Sequence, residues 1–169
     1  MMLKRLICLA AFLGACASAW ADAQVVNPPY EAPRVVFDFF LDHPAKINAA
    51  LFWLRALVNP LAEAPYDISP DAMSIKVVIH GTEIAAVAKK NYPQYQEAVE
   101  RMRYYAGLGV EFKVCALAAH DYGYSAADLQ DFVQVVPSAI TELAYWQMKG
   151  HALITPVVTE KRISVEDIR

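Results

Sequence analysis

Glycine is scarce in this 169-residue chain, with six copies, and none of them belongs to a phosphate-binding pattern. Neither GxGxxG nor GxxxxGK occurs, so the backbone offers no glycine-rich cradle for a nucleotide phosphate. Cysteine is scarcer still, at three. No CxxC pair is present, which excludes thioredoxin-like dithiol exchange, and no CxxCH for covalent haem. HExxH is missing, and with it a zinc hydrolase site. The lack of GxSxG removes the nucleophile elbow of an esterase. The four histidines, His43, His80, His120 and His151, are too widely spaced to build a metal site from local sequence, so neither metal nor cofactor is expected. There is no dense basic block, and the formal net charge is -3. That argues against nucleic acid, and against an anionic membrane surface, as the main partner.

What the chain has in abundance is apolar sequence. Hydrophobic residues make up 57% and charged residues 20%, which at this length implies one domain with a proper core rather than broad disorder. Part of the excess sits at the N-terminus. Lys4 and Arg5 precede a short apolar run from Leu6 to Ala15, and Ala19-Trp20-Ala21 fits the small-x-small rule for signal cleavage. The run is too short to span a bilayer, so no stable membrane span is expected once the signal is removed. We therefore read residues 1–21 as an export signal and expect a periplasmic mature chain. A minor alternative is Leu13-Gly14-Ala15-Cys16 as a lipobox, with Cys16 lipidated. Cleavage after Ala21 removes Cys8 and Cys16 and leaves Cys115 as an odd cysteine in an oxidising compartment.

Residues 22–33 carry Pro28, Pro29 and Pro33 and read as an extended lead-in. The run Arg34 to Leu41 is nearly continuous apolar sequence, as expected of a strand covered on both faces, and Asp38 interrupts it. Asp42 is the expected N-cap of a helix whose apolar positions run from Ile47 to Val58, and Asn59-Pro60 is expected to end it. A loop to Ala72 precedes a second buried strand, Ser74 to His80, followed by Gly81-Thr82 and a short helix from Glu83 to Lys90. Pro93 opens a long helix with Tyr95, Ala98, Val99, Met102 and Tyr105 on one stripe, and Gly107 is the expected stop. Val110 to Leu117 forms a third strand, in which Val110, Phe112 and Val114 alternate with Glu111, Lys113 and Cys115, so Cys115 faces away from Val114. A loop opens at Cys115. Ser125 and Asp128 form a capping box for a short helix through Phe132. A strand at 133–136, a helix opened by Pro137-Ser138 and ended by Gly150, and a strand at 152–155 complete a domain over 34–156, with residues 157–169 as a tail. This alternation predicts a three-layer α/β/α sandwich around about five mostly parallel strands.

The sharpest chemical feature is Cys115. As a small buried hydrophobe it would be structural. As a thiol at a strand C-end it would stand where parallel sheets build their sites. His80 ends the second strand on the same edge and would favour the thiolate if those strands are neighbours. His120 is a weaker candidate for the same role.

The stretch from Lys76 to Pro156 resembles the DsrE/DsrF-like family of small sulfur-metabolism proteins. The likeness rests on Ile79-His80-Gly81, the helix ending at Gly107, Gly109-Val110 leading to Phe112 and Cys115, then Val135-Val136-Pro137-Ser138, Glu142-Leu143, and Gln147 before Gly150. The resemblance implies a flavodoxin-like α/β/α fold and a homo-oligomer, trimeric or hexameric. It further implies that Cys115 accepts sulfane sulfur as a persulfide and passes it between a donor and an acceptor protein. A non-enzymatic assembly module with a structural cysteine is the alternative, and a redox sensor forming a mixed disulfide through Cys115 is a third reading.

Overall fold

Two apolar runs form the centre of the sheet in the computed structural model, which describes residues 22–169. They are β1 (Arg34–Phe39) and β2 (Ser74–Ile79), paired in parallel with Phe37 opposite Val77 and Phe39 opposite Ile79. Beyond β2 lie β3 (Glu111–Cys115) and β4 (Val133–Val136), while β5 (Ala152–Ile154) joins the far side of β1. The order is β4-β3-β2-β1-β5 and every pairing is parallel. From β1 to β4 the chain steps one strand at a time in one direction. Right-handed crossovers then put α1 (Ile47–Ala62) and α3 (Tyr92–Gly107) on the same face. The return from β4 to β5 reverses direction and carries α5 (Ala139–Met148) across the opposite face. The expected flavodoxin-like α/β/α sandwich is therefore present, with its strand-order reversal between β1 and β5.

The strand period of two sorts the side chains into two unequal cores. Val35, Phe37, Phe39, Ile75, Val77, Ile79, Phe112 and Val114 pack against Leu51, Leu54, Val58, Val99 and Met102 of α1 and α3. The second core is small. Val36, Val78 and Cys115 meet only Ala139 and Leu143 of α5 among fully buried residues. Toward the N-terminal ends of the strands that face turns polar. Lys76 pairs with Glu111, and Lys113 reaches Glu111 (3.0 Å), Glu142 (3.4 Å) and Gln134 (2.6 Å). Trp146 Nε1 donates to Glu142 at 2.7 Å, and its ring lies 4.6 Å from the Lys76 ammonium. Burial works against the charge on Glu111, but the two ammonium groups hold its carboxyl below the usual range. His151 spans from Ser74 (2.9 Å) to the Trp146 carbonyl (3.2 Å), fastening the end of α5 to the sheet.

Several local expectations need correction. α1 runs through Pro60 to Ala62. Pro60 and Ala56, whose carbonyl loses its helical donor, both face solvent, while Leu61 is buried and rewards the extra turn. His43, not Asp42, is the capping residue, and it caps the 3-10 turn Pro44–Lys46 that leads into α1: its ring accepts the Ala45 N–H, and Asp42 instead pairs with Lys46 at 2.8 Å. Gly107 is the last residue inside α3, and the left-handed turn falls at Gly109 (φ 94°). The strand expected to reach Leu117 stops at Cys115, and α4 (Ala116–Asp121) replaces the loop, because Ala116-Leu117-Ala118-Ala119 are strong helix formers. The box of Ser125 and Asp128 is formed but caps only a single 3-10 turn, Ala126–Asp128. The region after Gly81 is likewise shorter than expected, with α2 limited to Ile84–Val87. The export signal and the Cys16 lipobox lie outside the described residues. Among the described residues no helix is long and apolar enough to cross a membrane.

Candidate functional site

All five strands point their carboxyl ends at one edge, so the residues just past β1, β2, β3 and β5 gather there without any local motif. The two central loops are tied together by Glu83. Its side chain is fully buried, and Oε1 accepts the N–H of His80 (3.1 Å) and Gly81 (2.8 Å) while Oε2 accepts that of Leu41 (2.9 Å). Burial pushes the Glu83 carboxyl above its ordinary range, and those three N–H groups pull the other way without cancelling it. Gly81 is required for the close approach. A Cβ there would lie 2.5 Å from Leu41 N, 2.7 Å from Leu41 O and 2.5 Å from Glu83 Oε2. The clamp is completed by the Thr82 hydroxyl, which donates to Leu41 O at 2.8 Å.

On this clamped edge Asp38 and His80 form a close pair. Asp38 Oδ1 lies 2.6 Å from His80 Nε2, with both side chains largely covered. Phe40 stacks on the imidazole at 4.9 Å between centroids, and the Thr155 hydroxyl donates to Asp38 Oδ2 at 3.4 Å. An ionised carboxylate can only accept, so Nε2 carries the ring proton and Nδ1 is left as the basic nitrogen. Asp38 thus sets the tautomer of His80 on the carboxyl edge between β1 and β2, one strand from the strand-order reversal beside β5.

Cys115 closes β3 on the strand next to β2. Ile79 pairs with Val114, so His80 and Cys115 follow one step beyond on neighbouring strands. The ring of His80 is engaged with Asp38, while Cys115 Sγ accepts the Ala118 N–H at 3.5 Å as the N-cap of α4. The thiol is 5% exposed, packed with Val36, Val78, Ala139 and Leu143. His120 stands apart on α4 with its side chain 91% exposed and reaches only Asp121, at 3.9 Å. Among the described residues no cluster of three His, Cys, Asp or Glu gathers to hold a metal.

Sequence reasoning noted Asp38 as an interruption of β1 but did not pair it with His80. It missed Phe40, Glu83 and Thr155 altogether. A carboxylate three residues after a strand-ending histidine was the available signal for Glu83. Phe40 and Thr155 offered none, since both are recruited through the fold.

This architecture defines a small parallel α/β/α protein with a thiol and a histidine–aspartate pair along its carboxyl edge. The chain belongs to the DsrE/DsrF-like family, which it matches over residues 34–156, from the first residue of β1 to just past β5. Two solved structures share the fold. One is MTH1491 of Methanobacterium thermoautotrophicum, a protein of unknown function, at 24% identity over 73% of this chain and 99% of that one, with a TM-score of 0.59. The other is the ychN protein of E. coli, at 17% identity over 73% and 98%, with a TM-score of 0.53. No curated protein matches this chain at a significant level.

Proposed function

We propose that this is an exported, periplasmic DsrE/DsrF-like protein that binds and relays sulfur through Cys115. The observation that carries the reading is the place of the thiol at the carboxyl end of β3, beside the strand that ends in the Asp38–His80 pair. His80, basic at Nδ1, takes the thiol proton. The thiolate attacks the outer sulfur of a sulfane donor, the donor S–S bond breaks, and the remainder leaves as a thiolate and recovers the proton. Cys115 then carries a persulfide. Attack by an acceptor thiolate on the outer sulfur releases Cys115 as the thiolate, with no net oxidation. The active form is a homo-oligomer, a trimer or hexamer, that meets donor and acceptor proteins at this edge.

A second reading is favoured by the burial of Cys115 in the small core under α5. In it the cysteine is structural and the protein is a non-enzymatic oligomeric binding module.

Intact mass of the mature protein, before and after polysulfide, separates the two. A sulfur-sized increment that reductant removes and Cys115→Ser lacks is the expected result, and the same spectrum locates the mature N-terminus. Loading that persists in Cys115→Ser, or a thiol that reacts only after denaturation, would rule out the relay.

A further inference from the structure

An open groove lies on the outer side of the α1–α3 layer, and Cys115, His80 and Asp38 are not among the residues that line it. It offers about 1010 Å³ of open space between the two helices, and Lys161 from the C-terminal tail stands at its margin. Its floor is apolar: Ala49 and Phe52 from α1, Tyr104 and Tyr105 from α3. Phe52 and Tyr104 are 51% and 64% exposed, large aromatic surfaces left uncovered.

The charges around this floor are unevenly matched. Glu97 is paired with Arg101 at 3.8 Å, and Glu100 with Arg103 at 3.9 Å. Arg101 is further engaged by Asn48, through both its backbone and its side-chain oxygen at 3.3 and 3.2 Å. Both acids that line the groove therefore have cations of their own. Arg55 and Lys161 do not have acids: among the described residues neither has a carboxylate partner. The Arg55 guanidinium rests over the Phe52 ring at 4.6 Å, and among the described residues no hydrogen bond engages its fork. A planar guanidinium on an aromatic face, with donors to spare, suits a bidentate carboxylate. The space is far larger than a bare anion needs and falls at the upper end of the range for small-molecule pockets.

We propose that this groove binds an amphipathic carboxylate: an acyl or aryl body laid along Phe52 and Tyr104, and a carboxylate held by Arg55 and Lys161. The site is independent of Cys115. The two cations meet a negative head that the protein itself does not supply, and the aromatic floor meets the apolar body.

Decanoate, kept below its micellar concentration, is the probe, with decanol as the neutral counterpart. Both are titrated calorimetrically into the full chain, the Arg55→Glu/Lys161→Glu variant and Tyr104→Ala. Arg55 and Tyr104 are exposed, so all variants should keep the wild-type circular dichroism. Saturable decanoate binding is expected, weakened by about tenfold or more in the charge-reversed variant. Decanol binding should be unchanged by charge reversal and weakened by Tyr104→Ala. Absent or non-saturable binding, or equal loss for decanoate and decanol on charge reversal, overturns the proposal. So does concentration-dependent self-association that the Arg55 variant abolishes, which would give the groove to a second copy of the chain.

Discussion

Replacing Glu83 with glutamine keeps the volume of the side chain and removes its charge, so it tests whether the clamp on the carboxyl edge is held by hydrogen bonding. The carboxylate receives three backbone N–H groups on two oxygens. Glutamine has one acceptor oxygen. With that oxygen facing His80 and Gly81, the amide NH2 is turned against the Leu41 N–H, which sits 2.9 Å away in the wild type. One buried donor then lacks a partner, at a cost of about 1–3 kcal/mol, and the other two bonds lose their charge assistance. Relief of the buried charge works in the opposite direction. We expect a net loss of about 2 kcal/mol at neutral pH, or about 6 °C in Tm for a domain of this size. The assay is urea unfolding followed by far-ultraviolet circular dichroism across a pH series. Burial raises the folded-state pKa of Glu83 above its ordinary 4.5, so the wild type loses stability as pH rises from there through the folded value. Glutamine has no proton to lose, so the gap between the two proteins should narrow as pH rises. A glutamine variant as stable as wild type at neutral pH, or a gap that widens with pH, would refute the reasoning.

Two further predictions concern the framework. Gly81→Ala puts a methyl group into the backbone of Leu41 and should cost about 3 kcal/mol, whereas Gly107→Ala, with nothing within 4 Å, should be neutral or gain up to about 1 kcal/mol; thermal melts of the pair check both. His151 is held below its ordinary pKa by burial, with Lys76 and Arg34 adding to the effect, so the folded protein prefers it neutral. Stability should therefore fall as pH drops below about 6.5 toward the folded-state value, and His151→Gln should flatten that part of the profile in denaturant titrations.

Much of the fold was legible because the strands here are unusually apolar. The runs around Phe37 and Val77 could bury both faces only in a parallel sheet, and the alternation through Val110–Cys115 correctly divided Val114 from Cys115 between the two cores. Pro60 misled because the breaker rule is local, whereas the burial of Leu61 that extends α1 is tertiary. The end of β3 misled because Cys115 to Ala118 satisfies both an apolar strand pattern and a helix of alanines. Asp38 and His80 are 42 residues apart, and only the adjacency of β1 and β2 brings them together. The lysine–glutamate network under α5 was invisible for the same reason. Lys76, Glu111 and Lys113 stand on two different strands, and Glu142 reaches them only because α5 is laid across that face.

The unequal cores have a kinetic consequence. The layer of α1 and α3 is anchored by a broad apolar contact, but α5 rests on Ala139, Leu143 and a polar network. Polar contacts lose less on meeting water than apolar ones, so α5 is the layer that lifts most cheaply while the rest of the domain stays folded. Cys115 lies directly beneath it. The rate at which the native thiol meets any reagent is then governed by the undocking of α5, and a mutation at Leu143 or Glu142 will tune the reactivity of a sulfur atom that it leaves chemically unchanged.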